Sequence, residues 1–500
     1  MNNGPQEEKA DVESFEKSDN SQNNSQLVPD SALTTPVRRL VHENKYTQIR
    51  DFLPQDSAKI VALKTVIEEG LRKNPEQLIR EQRLNLLELN WSDTFEKFWF
   101  PNPKFGVSSG NQNIHQLASG SIAGVTKGST TKTPQGLLFF SLGDYSIFNW
   151  GRDYLEYQIN QTSFKRNKEI LGEEKRRLKF KLINEYFDLI RIKSFEKIAR
   201  EQLQHLTFVY RLAKERAKLG KIKKQHFYEV RTEYLKAQNS YHEIKLKSTQ
   251  ANQALANTLG DDLTSTYKTE EKLLFKKLDI SLKDAIESAV EKYPQSRDHR
   301  LALDNNTRKF ELTLKNNLPL PKFSIDLGTY THTFGRNGGG TSYETLPGDS
   351  NVQIVASLNM TWNLVGEGGL FNHRSNEKSF ANKKIAEINF YNTKRYIELT
   401  LRQLYQGIYQ LENQVEISSA QIEHTQKSFD IILDNYVSNQ TPFDLFRDAL
   451  YNLRDSLFTL ENVKLQHLQK KLELSDLMGV DDLPGTPFEN LAIKGGSNHD

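Results

Sequence analysis

The sequence predicts a mixed but mainly α-helical chain in which one plan of long coiled-coil helices and paired β-strands occurs twice. Three observations predict it. Apolar residues recur every three or four positions over very long stretches, landmark residues repeat at one fixed offset, and short segments alternate apolar with polar residues. The chain has 500 residues, of which 36% are hydrophobic and 26% charged. That apolar share is low for one compact core and suits helices that bury a stripe and solvate the rest. The net charge of +3 argues for no nucleic-acid partner. The absence of cysteine excludes disulfides, thiol nucleophiles, Cys-ligated metals and a lipidated N-terminal cysteine.

The duplication is read first, because missing a repeat misreads a whole fold. SAKIVALKTVIEEGLRKNPEQ (57–77) and SLKDAIESAVEKYPQ (281–295) are both amphipathic helix starts, and Pro75 and Pro294 lie 219 residues apart. Gly260 and Gly479, each ending a long helical run, are separated by the same 219. Each half also holds a Pro-initiated extended segment, PKFGVSS at 103–109 and PKFSIDLGTYTH at 321–332. Repeat 1 spans 57–265, with a helix at 57–100, strands at about 103–112 and 135–149, a long helix at 152–218, a turn at 219–226 and a helix at 227–260. Repeat 2 spans 281–480, with a helix at 281–318, strands at about 321–333 and 351–363, a long helix at 370–436, a turn at 437–443 and a helix at 444–478. An N-terminal segment, 1–45, is expected to be disordered, and 481–500 forms a C-terminal tail.

The long helices carry coiled-coil seams. From Ile397 the spacing runs through Leu401, Leu404, Ile408, Leu411, Val415, Ser418, Ile422, Thr425, Phe429, Ile432 and Tyr436, then from Phe443 through Phe446, Leu450, Leu453, Leu457 and Leu460. Leu203, Leu206, Tyr210, Ala213 and Ala217 lead into Gly220, and Phe227, Val230, Tyr234, Ala237, Tyr241, Ile244, Ser248, Ala251 and Leu255 lead away from it. A sustained 3.5-residue spacing keeps one seam against a neighbouring helix. Small and polar seam members suit helices that touch two neighbours, although an ordinary antiparallel coiled coil fits equally well. At 1.5 Å per residue, 152–218 extends on the order of 100 Å. The reversals fall at LGKIKK (219–224), with Gly220, and at SNQTPF (438–443), with Asn439 and Pro442.

The strand segments alternate. Val352, Ile354, Ala356, Leu358, Met360 and Trp362 form one series, and Phe323, Ile325, Leu327 and Thr329 another; LLFFSLGDYSIF (137–148) is extended but less regular. Each approaches the length of a tilted membrane-crossing strand, and Phe148, Trp150, Tyr330 and Trp362 sit where an interfacial girdle would put them. Half-buried strands of a soluble protein fit the same pattern. Four strands cannot close a barrel, and an open edge in lipid leaves backbone groups unsatisfied at several kcal/mol each. A membrane-spanning version therefore pools strands from several copies, eight from two or twelve from three.

These features resemble the TolC family of outer-membrane efflux proteins. The matching text is the paired NP-type helix starts, the strand-opening PKF segments, RLAKERAKLGKIKKQHFYEV, NYVSNQTPFDLFRDAL, and the closing ALANTLG and ELSDLMG, over about 57–480. The resemblance implies a homotrimer whose twelve strands form one barrel in outer-membrane lipid and whose helices form a periplasmic tunnel. It implies a periplasmic adaptor (membrane fusion) protein, and an inner-membrane pump of RND, ABC or MFS type, in tripartite efflux or type I secretion. The turns would then contact the adaptor through Gly220, Lys221, Lys223, Lys224, Ser438, Asn439 and Pro442. Of the family's ring of entrance aspartates, the first falls on Asp444; the next acidic position falls on Arg447, with Asp448 one residue later. Asp444 also reads as a helix-start carboxylate favoured by the dipole. In the first turn, His226 replaces the usual aspartate, and the three lysines make this tip basic.

No catalytic, cofactor or metal constellation emerges. The eleven histidines are scattered, only three methionines occur, and Gly335 and Gly338–Gly340 lack a following Lys-Ser/Thr. The basic run Lys165–Lys181 reads as a solvated face or a post facing acidic lipid headgroups. Met1–Asp30 has no charged-then-apolar export signal, which an exported precursor is expected to carry. The rival reading is a soluble coiled-coil scaffold.

Overall fold

The computed structural model describes residues 58–110, 135–141, 144–336, 343–345, 355–361, 372–485 and 487–494. The expected N-terminal segment 1–45, the outer ends of the first and fourth strands, and Gly338–Gly340 lie outside the described residues. Ala199–His242 forms one compact unit, and the other described residues form a second. The division does not run between the two sequence halves, because strands from both halves share one sheet.

The elements in chain order are β1 (Lys59–Ile60), α1 (Leu63–Lys73), α2 (Pro75–Trp99), β2 (Lys104–Gly110), β3 (Gln135–Ser141), β4 (Asp144–Phe148), α3 (Arg152–Lys218) and α4 (Lys224–Leu259). They continue with β5 (Tyr267–Lys268), β6 (Glu271–Leu273), α5 (Leu282–Lys292), α6 (Pro294–Asn316), β7 (Lys322–Arg336), β8 (Tyr343–Thr345) and β9 (Val355–Thr361). Then come α7 (His373–Val437), α8 (Phe443–Met478), a 3-10 turn at Phe488–Leu491 and β10 (Ala492–Lys494).

The single helices expected at 57–100 and 281–318 are each two helices, and the first is preceded by a strand. Proline causes both breaks. Asn74 and Tyr293 precede Pro75 and Pro294, and both are held out of the helical region, at ψ 129° and 130°. Each proline then opens the next helix, where its missing N–H leaves nothing unsatisfied. Asn74 adds a cap: Oδ1 accepts from Glu76 N at 2.7 Å, and Nδ2 donates to Thr258 O at 2.6 Å.

The expected strand at 135–149 is two segments, both paired with β7 in one register: Phe140 lies opposite Tyr330 and Asp144 opposite Asp326. β2 pairs with the far side of β3, and β9 pairs with the other side of β7, Ile325 opposite Leu358. The sheet therefore interleaves both halves of the chain, and among the described residues it does not close. Tight bonds join it to the helices. Trp150 Nε1 donates to Pro321 O at 3.1 Å, and Ser146 Oγ donates to Asp153 at 2.7 Å.

The seam residues are mostly inside. Ile397, Leu401, Leu404, Ile408, Val415, Phe429 and Tyr436 on α7 are buried, as are Phe443, Phe446, Leu450 and Leu453 on α8. Leu411 and Leu457 are only half-buried while Glu412 and Ser456 are buried. The main core joins Leu182, Tyr186 and Leu189 of α3 to Leu255 of α4, Leu401 of α7 and Leu474 of α8. The expected tail is part of this core. Leu483, Phe488 and Leu491 are buried, Phe180 and Phe488 are in ring contact at 5.9 Å, and β10 pairs with β6.

Contacts recur at the 219-residue offset. A Cβ on Gly260 would meet Lys73 O at 2.8 Å, and one on Gly479 would meet Lys292 O at 2.6 Å. The Tyr186 hydroxyl donates to Val61 O at 3.3 Å, and that of Tyr405 to Ile280 O at 3.1 Å. Polar side chains, buried or half-buried, pin the segments that follow α4. Lys193 Nζ donates to Tyr267 O, and its equivalent, Glu412, accepts from Leu278 N at 2.7 Å. Glu412 also faces His467 Nε2 at 3.3 Å, while Lys471 Nζ donates to Lys276 O. Burial lowers the Lys193 ammonium to about 8, the Lys471 ammonium to about 8 and the His467 imidazole to about 4.

Candidate functional site

The candidate site residues lie at the two helix reversals, which are built alike. At the first, within the unit Ala199–His242, Gly220 takes φ +67°; its N–H reaches Ala217 O at 3.1 Å and the Lys221 N–H reaches Arg216 O at 2.8 Å. At the second, Asn439 takes φ +61°; its N–H reaches Tyr436 O at 3.1 Å and the Gln440 N–H reaches Asn435 O at 2.8 Å. Both close the last turn by bonding its orphan carbonyls, with glycine or asparagine in the left-handed position that other residues resist. Pro442 is extended at φ −70° and ψ 158° and starts α8.

Aromatic rings hold the helix pair together at each reversal. Tyr210 and Phe227 lie 5.9 Å apart, and Tyr210 stacks on Tyr234 at 5.1 Å. Phe429 and Phe446, at the 219 offset, lie 6.0 Å apart, and Tyr436 stacks on Phe446 at 5.1 Å. Burial, with Tyr210 second, pushes the Tyr234 phenol up.

The charges differ. Asp444 and Asp448 point outward, with side chains 70% and 61% exposed. Arg447 joins them: its Nη1 lies 3.0 Å from Asp444 Oδ1, and its Nε and Nη2 donate to Asp448 Oδ1 at 3.1 and 3.0 Å. The sequence reading placed Arg447 where a second ring carboxylate would fall but did not see it bridge two aspartates. Its spacing three residues after Asp444 is the signal that finds that pair, whereas helix spacing does not predict the contact with the adjacent Asp448. Ser438, Asn439 and Pro442 are exposed. At the first turn Gly220, Lys221, Lys223 and Lys224 are exposed, and His226 Nδ1 lies 3.8 Å from Glu229. Among the described residues no group of three or more His, Cys, Asp or Glu side chains is placed to hold a metal, and no helix is long and apolar enough to cross a membrane.

The helix–strand–helix order, the interleaved sheet and the paired reversals define a mainly helical TolC-like channel fold. Solved structures with this fold include VceC, an outer membrane protein of Vibrio cholerae. It shares 12% identity over 84% of this chain and 96% of its own, with a TM-score of 0.67. The CmeC outer membrane channel of Campylobacter jejuni matches 86% of this chain and 88% of its own at 15% identity and a TM-score of 0.65. The open state of the MtrE outer membrane channel of Neisseria gonorrhoeae matches 84% and 89% at 12% identity and a TM-score of 0.56. No protein-family model and no curated protein matches the sequence.

Proposed function

We propose that this chain is one protomer of a trimeric duct in an outer membrane. In this reading the chain is two copies of one structural unit. It performs no chemistry and conducts solutes driven by an inner-membrane pump through a periplasmic adaptor, in a tripartite efflux or type I secretion system. The observation that carries the reading is the open sheet. β2 is bonded only to β3 and β9 only to β7 among the described residues, so each edge presents unpaired backbone groups. Its flanks are apolar and outward: Phe105 is 71% exposed, Ile147 50% and Leu358 68%. A water-soluble sheet of this kind would aggregate, whereas three copies joined edge to edge close a twelve-strand wall whose outer face suits lipid. The exposed apolar residues of α7, including Ile388, Leu399 and Ile417, are assigned to contacts with neighbouring copies.

The turns then face the periplasm. Asp444 and Asp448 ring the entrance, and Gly220, Lys221, Lys223, Lys224, Ser438, Asn439 and Pro442 meet the adaptor. The helices beside the turns move apart to open the entrance. The test is extraction and conductance. The membrane-bound protein should resist high salt, need detergent, run as a heat-modifiable trimer and give discrete conductance steps in planar bilayers. A monomer released by salt alone, with no conductance, would refute the proposal and favour a soluble scaffold.

A further inference from the structure

A shallow recess of about 360 Å3 lies between α3 and α8. Phe180 and Leu472, both buried, form its floor. Two polar bridges close its ends. At one, Arg177 Nε lies 3.7 Å from Asp476 Oδ1; at the other, Gln469 Nε2 donates to Asn184 Oδ1 at 3.0 Å. From 177 to 184 the helix rises about 10 Å, which sets the length of the recess. The charges are sorted by wall: Arg177 and Lys181 stand on the α3 side, Glu473 and Asp476 on the α8 side. One of these groups is incomplete. Asp476 Oδ1 is buried and accepts no hydrogen bond among the described residues, with Arg177 Nε at 3.7 Å and Arg176 Nη2 at 3.8 Å. Lys181 and Glu473, both 48% exposed, pair with residues of their own helices, Glu185 at 3.9 Å and Lys470 at 2.8 Å. Solvated pairs of this kind are weak and yield to another partner. The recess also has a defined side. The segments that follow α4 and α8 touch α3 at Lys179, Tyr186 and Lys193, and α8 at His467 and Lys471. At about 100° per residue, those positions point roughly 170° away from 177, 181 and 184 on α3 and from 469, 473 and 476 on α8.

We infer that this recess is a binding site for a small zwitterion with a flat apolar body. The body covers Phe180 and Leu472. The cationic end donates to Asp476 Oδ1 and faces Glu473, while the anionic end meets Lys181 and Arg177. An apolar floor with a few placed polar groups is the pattern of small-molecule sites. A ligand with one charge satisfies one wall and carries that charge toward the like-charged wall a few ångströms away, so charge matching selects the zwitterion. The inference rests on the duct reading for its meaning. Connecting segments that crossed the helices inside a tunnel would obstruct it, so they lie outside and the recess opens inward. It then names a class of cargo that the tunnel wall retains.

The test is photolabelling of the full-length protein in nanodiscs with three probes that share a benzophenone body. They are the zwitterion 4-benzoylphenylalanine, the anion 4-benzoylbenzoate and the cation 4-benzoylbenzylamine, with labelled peptides mapped by mass spectrometry. The zwitterion should label 177–184 and 469–476 saturably. Its half-saturation should fall at least about threefold below that of either singly charged probe, the size expected of one added exposed ion pair. K181A/E473A should shrink the preference below about twofold, and K181W, at the exposed rim, should cover the floor and abolish labelling; circular dichroism checks the fold of both. The wild-type comparison decides even where a variant misfolds. Equal half-saturation for the three probes, or unsaturable labelling spread along the helices, overturns the inference. So does an unchanged preference in folded K181A/E473A. Planar-bilayer conductance of the same preparations keeps the two readings apart: selective labelling without conductance sinks the duct and leaves the site, and conductance without selective labelling sinks the site alone.

Discussion

Three glycines with nearly the same backbone conformation and different surroundings allow strain and crowding to be measured apart. Gly220, Gly260 and Gly479 have φ of +67°, +77° and +65°. A Cβ at Gly220 meets nothing within 4 Å, so Gly220→Ala carries only the left-handed penalty of about 1–2 kcal/mol. At Gly479 the new atom would sit 2.6 Å from Lys292 O and 2.9 Å from Lys292 C, both backbone atoms of the α5 end. The backbone must shift, and overpacking adds about 1–3 kcal/mol, giving a total of about 2–5 kcal/mol for Gly479→Ala. Gly260→Ala, with Lys73 O at 2.8 Å and Pro75 Cδ at 3.4 Å, falls between. Denaturant unfolding in detergent, followed by far-ultraviolet circular dichroism, should rank the midpoints as parent, G220A, G260A, G479A from highest to lowest. Hydrogen exchange should show the G479A loss around 470–480 and 282–292. A G220A protein as unstable as G479A would refute the reasoning, because it would assign the whole effect to φ and none to the contact between helix ends.

Further outcomes follow from other contacts. Glu412→Ala leaves the Leu278 N–H without its acceptor and removes the carboxylate facing buried His467, so it should destabilise by roughly 3 kcal/mol in the same unfolding assay. His467, whose folded value of about 4 lies below the ordinary 6.5, stays neutral where the unfolded chain binds a proton. The unfolded state then holds more protons between those values, so stability present above about pH 6.5 is lost as pH falls toward 4; His467→Gln should flatten that limb of a stability–pH curve. Arg447→Ala frees the two aspartates it bridges and should raise cation selectivity, read as a larger reversal potential in a salt gradient across planar bilayers. In single-tryptophan variants reconstituted with lipids brominated near the headgroup, Trp99, 47% exposed, should be quenched more than Trp91, which is half-buried and stacked on Phe164 at 5.0 Å.

The long helices were legible because an unbroken 3.5-residue spacing leaves little else for the chain to do, and Ile397 to Tyr436 is largely buried as the spacing requires. The reversals were legible from Gly220, Asn439 and Pro442, whose backbone preferences act locally. What was missed depends on partners distant in sequence. β5, β6 and β10 have two or three residues each, too few to show a period, and they exist because other segments lie beside them. Phe488 and Leu491 look like isolated apolar residues in a tail until Phe180 is placed against them. The breaks at Asn74 and Tyr293 were written in the prolines, yet amphipathic spacing on both sides carried a single helix across them. At the candidate site the aspartates were legible as residues, but their state was not, since Arg447 acts through geometry.

The two halves agree where backbones press together and disagree where charge meets solvent or a polar neighbour. Glycine against a helix-end carbonyl, tyrosine hydroxyl to Val61 or Ile280, and an aromatic pair below each reversal all recur at 219 residues, because one backbone path permits few alternatives at such contacts. Lys193 and Glu412 stand 219 residues apart with opposite charge, and each satisfies a backbone group of the segment after α4, one donating to Tyr267 O and the other accepting from Leu278 N. The backbone offers both a donor and an acceptor at every residue, so either sign of side chain can hold it. The turns diverge in the same way: one carries Lys221, Lys223 and Lys224, all exposed, and the other an arginine bridging two aspartates. Packing fixes the frame of both turns and leaves their charge free to differ.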